Sequence, residues 1–93
     1  MSSIDIRQDH ALNATQARTA VDEIARKLDA RFGLQSTWSG ERLDFSGSGV
    51  DGAIDLLPGQ VRVTATLGFM LSAMKGLVES EIRRVLSEKL SGA

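Results

Sequence analysis

The sequence predicts a small α+β domain with the element order β-α-β-β-β-β-α. Three observations carry this. From Ala14 to Phe32 apolar residues recur at helical spacing. From Leu34 to Leu67 four runs alternate apolar with polar residues, joined by turns so short that neighbouring strands must be antiparallel. From Leu71 to Leu90 helical spacing returns. The chain has 93 residues, so a single domain over 1–93 is expected, because independent cores rarely fit in less than about 50 residues.

Ile4 and Ile6 alternate with Asp5 and Arg7, the pattern of a short half-buried strand. Asn13 is a helix N-cap with Gln16 in the place of its capping-box partner. Ala17, Val21, Ile24, Leu28 and Phe32 then mark the buried face of the helix. Asp22 and Glu23 precede Arg26 and Lys27 by four residues, the better order for helix ion pairs. Arg31 suits the negative end of the helix dipole, and Gly33 ends the helix as a left-handed cap.

Leu34, Ser36 and Trp38 share one face of the next strand, Gly40-Glu41 turns the chain, and Leu43 and Phe45 share a face of the strand after it. Gly47, Ser48 and Gly49 connect to Val50, Gly52, Ile54 and Leu56, which alternate with Asp51, Ala53 and Asp55. Pro58-Gly59 is a turn, with Pro presetting φ and Gly accepting a positive value. Val61, Val63, Ala65 and Leu67 alternate with Arg62, Thr64 and Thr66 in the clearest strand of the chain. In the last helix Leu71, Met74, Val78, Ile82, Val85 or Leu86, and Leu90 form the stripe, with Glu79–Arg83 and Arg84–Glu88 as ion pairs. Gly76 interrupts it as a kink, a close approach, or a break behind a short leading helix. Two helices should therefore cover one face of the sheet. If strongly twisted, a sheet of this order resembles a shortened helix-grip fold of the Bet v 1 and START-like kind, a likeness of topology that assigns no ligand.

Composition narrows the function. Eleven basic and twelve acidic residues are interspersed to a net charge of −1, which leaves no concentrated basic face for nucleic acid or an anionic membrane. There is no cysteine and one histidine, so thiolate chemistry is excluded and a transition-metal site is not expected. No cofactor is implied. MSSIDIRQDH lacks the basic and apolar regions of a signal peptide, and the apolar run Leu67–Met74 is far short of the roughly 18–20 residues of a membrane span. A cytoplasmic location is expected, with granule association if the resemblance below holds.

Few residues offer chemistry. His10 follows the first strand beside Asp9, with no nucleophile indicated near it, so a loop or capping role is favoured over general-base work. Asp44, Asp51 and Asp55 fall on the polar sheet face, where solvated charge guarding against aggregation outweighs acid/base catalysis. The glycine-rich GSGVDG of residues 47 to 52 lacks a following Lys-Ser/Thr and helix, so it reads as turns rather than a phosphate cradle. No catalytic residue is assigned.

The apolar set Trp38, Phe45, Phe69, Met70, Met74 and Leu77 is the candidate ligand-binding or interface surface. A small domain needs most of its large side chains for core, yet Met70 and Leu77 fall off the helical stripe and imply a second contact. Lys75, beside Gly76, is a solvated cation before it is an anion site.

Ser48-Gly49-Val50-Asp51-Gly52, Val61-Arg62-Val63, Leu67-Gly68-Phe69 with Lys75-Gly76, and Glu81-Ile82-Arg83-Arg84 stand in an order that resembles the polyhydroxyalkanoic acid system family, small bacterial proteins associated with polyhydroxyalkanoate granule genes. Ile4 to Ala11 with its DHAL ending, Arg31-Phe32-Gly33-Leu34, and Trp38 with Gly40 extend the resemblance to nearly the whole chain. It departs at Ser72-Ala73, where the family pattern has a Lys-Pro pair; a positive charge and a helix-starting Pro are missing, so the helix should begin earlier. The resemblance carries no catalytic residues.

It implies a non-enzymatic accessory or binding protein of storage-polyester metabolism. The ligand would be an acyl chain in an apolar groove between the sheet and the C-terminal helix, or the granule surface. The alternative is a homodimer or protein-interaction module using the same residues. A small hydroxyacyl-thioester hydrolase or isomerase working through His10 or an Asp ranks last.

Overall fold

The order β-α-β-β-β-β-α is observed, with one extra turn of helix before the last element. The computed structural model describes residues 2–47 and 49–90, so Ser48 of the glycine-rich connection lies outside them. The elements are β1 (Ser2–Asp9), α1 (Ala14–Phe32), β2 (Leu34–Ser39), β3 (Arg42–Gly47), β4 (Val50–Leu57), β5 (Gln60–Leu67), α2 (Phe69–Ser72) and α3 (Lys75–Leu90).

The five strands form one antiparallel sheet in the order β1-β5-β4-β3-β2. Strands β2 to β5 are the expected meander, and β1 pairs with β5 from Ser2↔Leu67 to Asp9↔Gln60. The two-residue Pro58-Gly59 loop joins β4 to β5, with Gly59 at φ +69°.

Helix α1 starts where its cap predicts. Asn13 Oδ1 accepts the Gln16 N–H at 2.8 Å, and Gln16 Oε1 accepts the Asn13 N–H at 3.2 Å. It ends at Gly33, at φ +66°, whose N–H donates to Asp29 O at 2.8 Å. Ala17, Ala20, Val21, Ile24, Ala25 and Leu28 are buried against the sheet, while Phe32 is half-buried. Helix α3 contributes Val78, Ile82, Val85, Leu86 and Leu90 to the same core. At about 1.5–3 kcal/mol for each large aliphatic side chain taken from water, this stripe docks α3 against α1 and β1.

Two expectations about the last helix are corrected. The break falls at Ala73–Met74 rather than Gly76: Met74 N–H donates back to Leu71 O, and Met74 O accepts from Val78 N–H, so α3 winds from Lys75 onward. Gly76 sits inside α3 with open space where a Cβ would be. The interruption also takes Met74 off the buried stripe, leaving it 46% exposed.

Charges tie the helices together. Asp22–Arg26, Glu79–Arg83 and Arg84–Glu88 pair within their helices as expected, at 3.1, 3.7 and 2.6 Å. Glu23 and Lys27 instead reach across to Lys89 and Glu88 at 3.4 and 3.0 Å, and Arg31 reaches Glu81 at 3.0 Å. Gly52 marks a close approach between β4 and β5. A Cβ there would meet Thr64 O at 2.1 Å and the Phe45 ring at 2.8 Å, so only hydrogen lets β4 lie this close to β5.

Candidate functional site: the apolar corner at α2 and α3

Strand β5 ends at Leu67, and Gly68 N–H donates to Gly49 O at 2.7 Å, holding the chain against the β3–β4 turn. Leu71, half-buried, is the inward anchor of α2; its Cδ1 would lie 3.4 Å from a Cβ on Gly49. Ser72 closes the turn from its backbone, with N–H donating to Gly68 O at 2.9 Å, and its hydroxyl lies 2.9 Å from the same oxygen. These contacts fix a helix that buries none of its own residues.

The consequence is a cluster facing outward. Phe69 is 90% exposed, Met70 83%, Leu77 64% and Met74 46%. Isolated exposed apolar residues are ordinary, but here four large ones fall within nine positions. Lys75 and Gly76 lie between them in sequence, and the nearby carboxylates are occupied: Glu79 pairs with Arg83, and Glu81 with Arg31 and Arg84. Hydrogen bonding from Arg84 holds the Glu81 carboxyl below its ordinary range. Lys75 is then the charge at this corner without an ion-pair partner among the described residues.

The other two members of the apolar set lie elsewhere. Phe45 is a core residue of β3 at 5% exposure, its ring against Gly52. Trp38 is half-buried on β2, with the Arg18 guanidinium 4.0 Å from its ring centroid and Nε1 within 3.4 Å of Asp22 Oδ1. Thus Phe69, Met70, Met74 and Leu77 are exposed along one stretch of chain across α2 and the start of α3, whereas Trp38 and Phe45 lie on the sheet.

The space expected to be a groove between sheet and last helix is filled by the buried stripe of α3, with Leu86 fully and Val85 almost fully shut from solvent. An apolar cavity of about 400 Å³ opens instead at the other end of the sheet, among His10, Leu12, Ala17, Leu56, Leu57 and Pro58. Leu57, 41% exposed, was missed as a surface residue. The signal was the Leu56-Leu57 doublet, since an alternating strand can turn only one of two neighbours inward. His10 Nδ1 accepts the Leu12 N–H at 3.1 Å, while Nε2 is closed off from solvent without a partner.

On the polar face Asp5, Asp44 and Asp55 are matched with arginines. Arg62 donates twice to Asp5, at 3.0 and 2.7 Å, which holds the Asp5 carboxyl below its ordinary range. Arg42 lies 3.3 Å from Asp44 and 3.6 Å from Asp55. Among the described residues no group of three or more His, Cys, Asp or Glu could hold a metal ion, and no helix is long and apolar enough to cross a membrane.

The family model described as putative polyhydroxyalkanoic acid system protein matches residues 4–90, almost the whole chain. The chain belongs to that family. No curated protein and no solved structure matches it. The match to this family spans both the core-forming strands and the α2–α3 corner.

Proposed function

We propose that this member of the polyhydroxyalkanoic acid system family is a non-enzymatic accessory protein that rests on the storage polyester through the corner formed by Phe69, Met70, Met74 and Leu77. The observation that carries it is the anchoring of α2 by Leu71 and Ser72, which holds Phe69 and Met70 outward although the fold gains nothing by exposing them. A polyester surface is apolar and uncharged. A corner whose one nearby unpaired cation among the described residues is Lys75, on a chain of net charge −1, suits such a surface better than an anionic lipid layer. The same reading places the protein with the granule, inside the cell.

Burying even half of Phe69 and Met70 is worth about 1.5–3 kcal/mol together, or roughly ten- to a hundredfold in affinity. The test is cosedimentation with amorphous polyester particles, with phosphatidylcholine and phosphatidylglycerol vesicles alongside. Wild type should pellet with polyester and the Phe69→Ser/Met70→Ser double variant should lose at least about tenfold. Equal binding of both proteins, or a preference for the anionic vesicles, would sink the proposal.

A further inference from the structure

The free edge of β1 is complementary to itself. His10 N–H donates to Gly59 O at 3.0 Å and continues the β1–β5 register. Bonded pairs alternate along an antiparallel ladder, so the even-numbered residues of β1 turn their backbone groups to β5. The odd-numbered residues Ser3, Asp5, Arg7 and Asp9 turn theirs to the open edge, and their side chains stand exposed on the polar face.

Two copies of this edge can pair antiparallel in three central registers that satisfy those backbone groups. Centring on Asp5 sets Asp5 against Asp5, and centring on Arg7 sets Arg7 against Arg7; like charges directly opposed are unfavourable. Centring on Ile6 sets Asp5 opposite Arg7 twice, and Ser3 opposite Asp9 twice. Arg7 has no ion-pair partner among the described residues. The Asp5 carboxylate holds Arg62 and retains lone pairs for a second donor.

We infer that β1 is a homodimer edge, joining the sheets of two copies about a two-fold axis at Ile6 with reciprocal Asp5–Arg7 pairs. Alternating charge on an edge also repels unrelated strands; here the same alternation selects one register with its own copy. This surface is separate from the α2–α3 corner, so either proposal can fail alone.

Sedimentation of the full chain over about 1–200 µM tests it, a range that brackets a weak strand-edge interface. Wild type should shift with concentration to twice the chain mass. Arg7→Glu, which sets a second carboxylate opposite Asp5, should stay at the monomer mass with its circular dichroism and melting unchanged. Arg7→Pro removes an N–H that points only to the open edge and should also stay monomeric. The Phe69→Ser/Met70→Ser variant should still dimerise. A monomeric wild type overturns the inference, as does a dimer that survives both Arg7 substitutions or disappears in the Phe69/Met70 variant.

Discussion

Adding one methyl group at Gly52 and at Gly76 should move stability in opposite directions. At Gly52 the new Cβ would lie 2.1 Å from Thr64 O and 2.8 Å from both Ala65 Cα and the Phe45 ring, well inside van der Waals contact. The first two are backbone atoms of β5, which is paired on both sides by β1 and β4 and carries Val63 and Leu67 fully buried. The strand cannot yield without disturbing two ladders and the core. Overpacking of this kind costs about 2–3 kcal/mol, against a total stability on the order of 5–14 kcal/mol for 93 residues. Gly52→Ala should therefore melt about 8–24 °C lower. At Gly76 nothing lies within 4 Å and the residue is helical, so Gly76→Ala should stabilise by about 0.5 kcal/mol through helix propensity and a less flexible unfolded chain. Urea denaturation monitored by far-ultraviolet circular dichroism measures both. A Gly52→Ala protein within about 0.5 kcal/mol of wild type would show that the close approach of β4 and β5 is not what requires glycine there.

Asn13→Ala removes the side chain that accepts the Gln16 N–H and should cost about 1 kcal/mol in the same urea experiment, while Asn13→Ser retains most of the stability. The Asp5, Glu81 and Glu88 carboxyls are held below their ordinary range, chiefly by hydrogen bonds from Arg62, Arg84 and Lys27 respectively. Lowered folded-state values mean that their stabilisation is fully present above the unfolded values and is lost as pH falls through the folded ones, below about pH 4. Melting should therefore fall on acidification in that window, and salt of about 1 M at neutral pH should reduce the same contribution because each pair has solvent access; a melting temperature flat from neutrality to about pH 3 would contradict this.

Most of the fold was legible because its signals are local. Asn13 with Gln16 and Gly33 bracket α1 within one turn of each end, and Pro58-Gly59 with the alternation from Val61 to Leu67 fixes a hairpin without distant information. The place of β1 was not legible, because Ile4 and Ile6 meet Ala65 and Val63 across most of the chain and no local pattern names that partner. Periodicity also misled at Met74, since a stripe read continuously from Leu71 does not register that the helix restarts at Lys75 with a new phase. The departure at Ser72-Ala73 suggested an earlier start for the long helix, but α3 begins only at Lys75 and α2 over Phe69–Ser72 is a separate turn.

For the site, Met70 and Leu77 were legible as residues off the stripe. Phe45 was not, because an aromatic on a strand looks the same in sequence whether it covers a glycine or a ligand; its partner Gly52 lies on the neighbouring strand. Trp38 was ambiguous for a similar reason, as Arg18 and Asp22 come to it from α1.

The most direct test of the corner as the polyester-facing surface uses the absence of cysteine. Met70→Cys and Thr37→Cys each place a single thiol at an exposed position, one on α2 and one on β2, for labelling with an environment-sensitive fluorophore. On mixing with amorphous polyester particles, the label at 70 should shift its emission to the blue as it leaves water, and the label at 37 should not move. Particle binding with no shift at 70, or with equal shifts at both positions, would contradict the proposed docking surface.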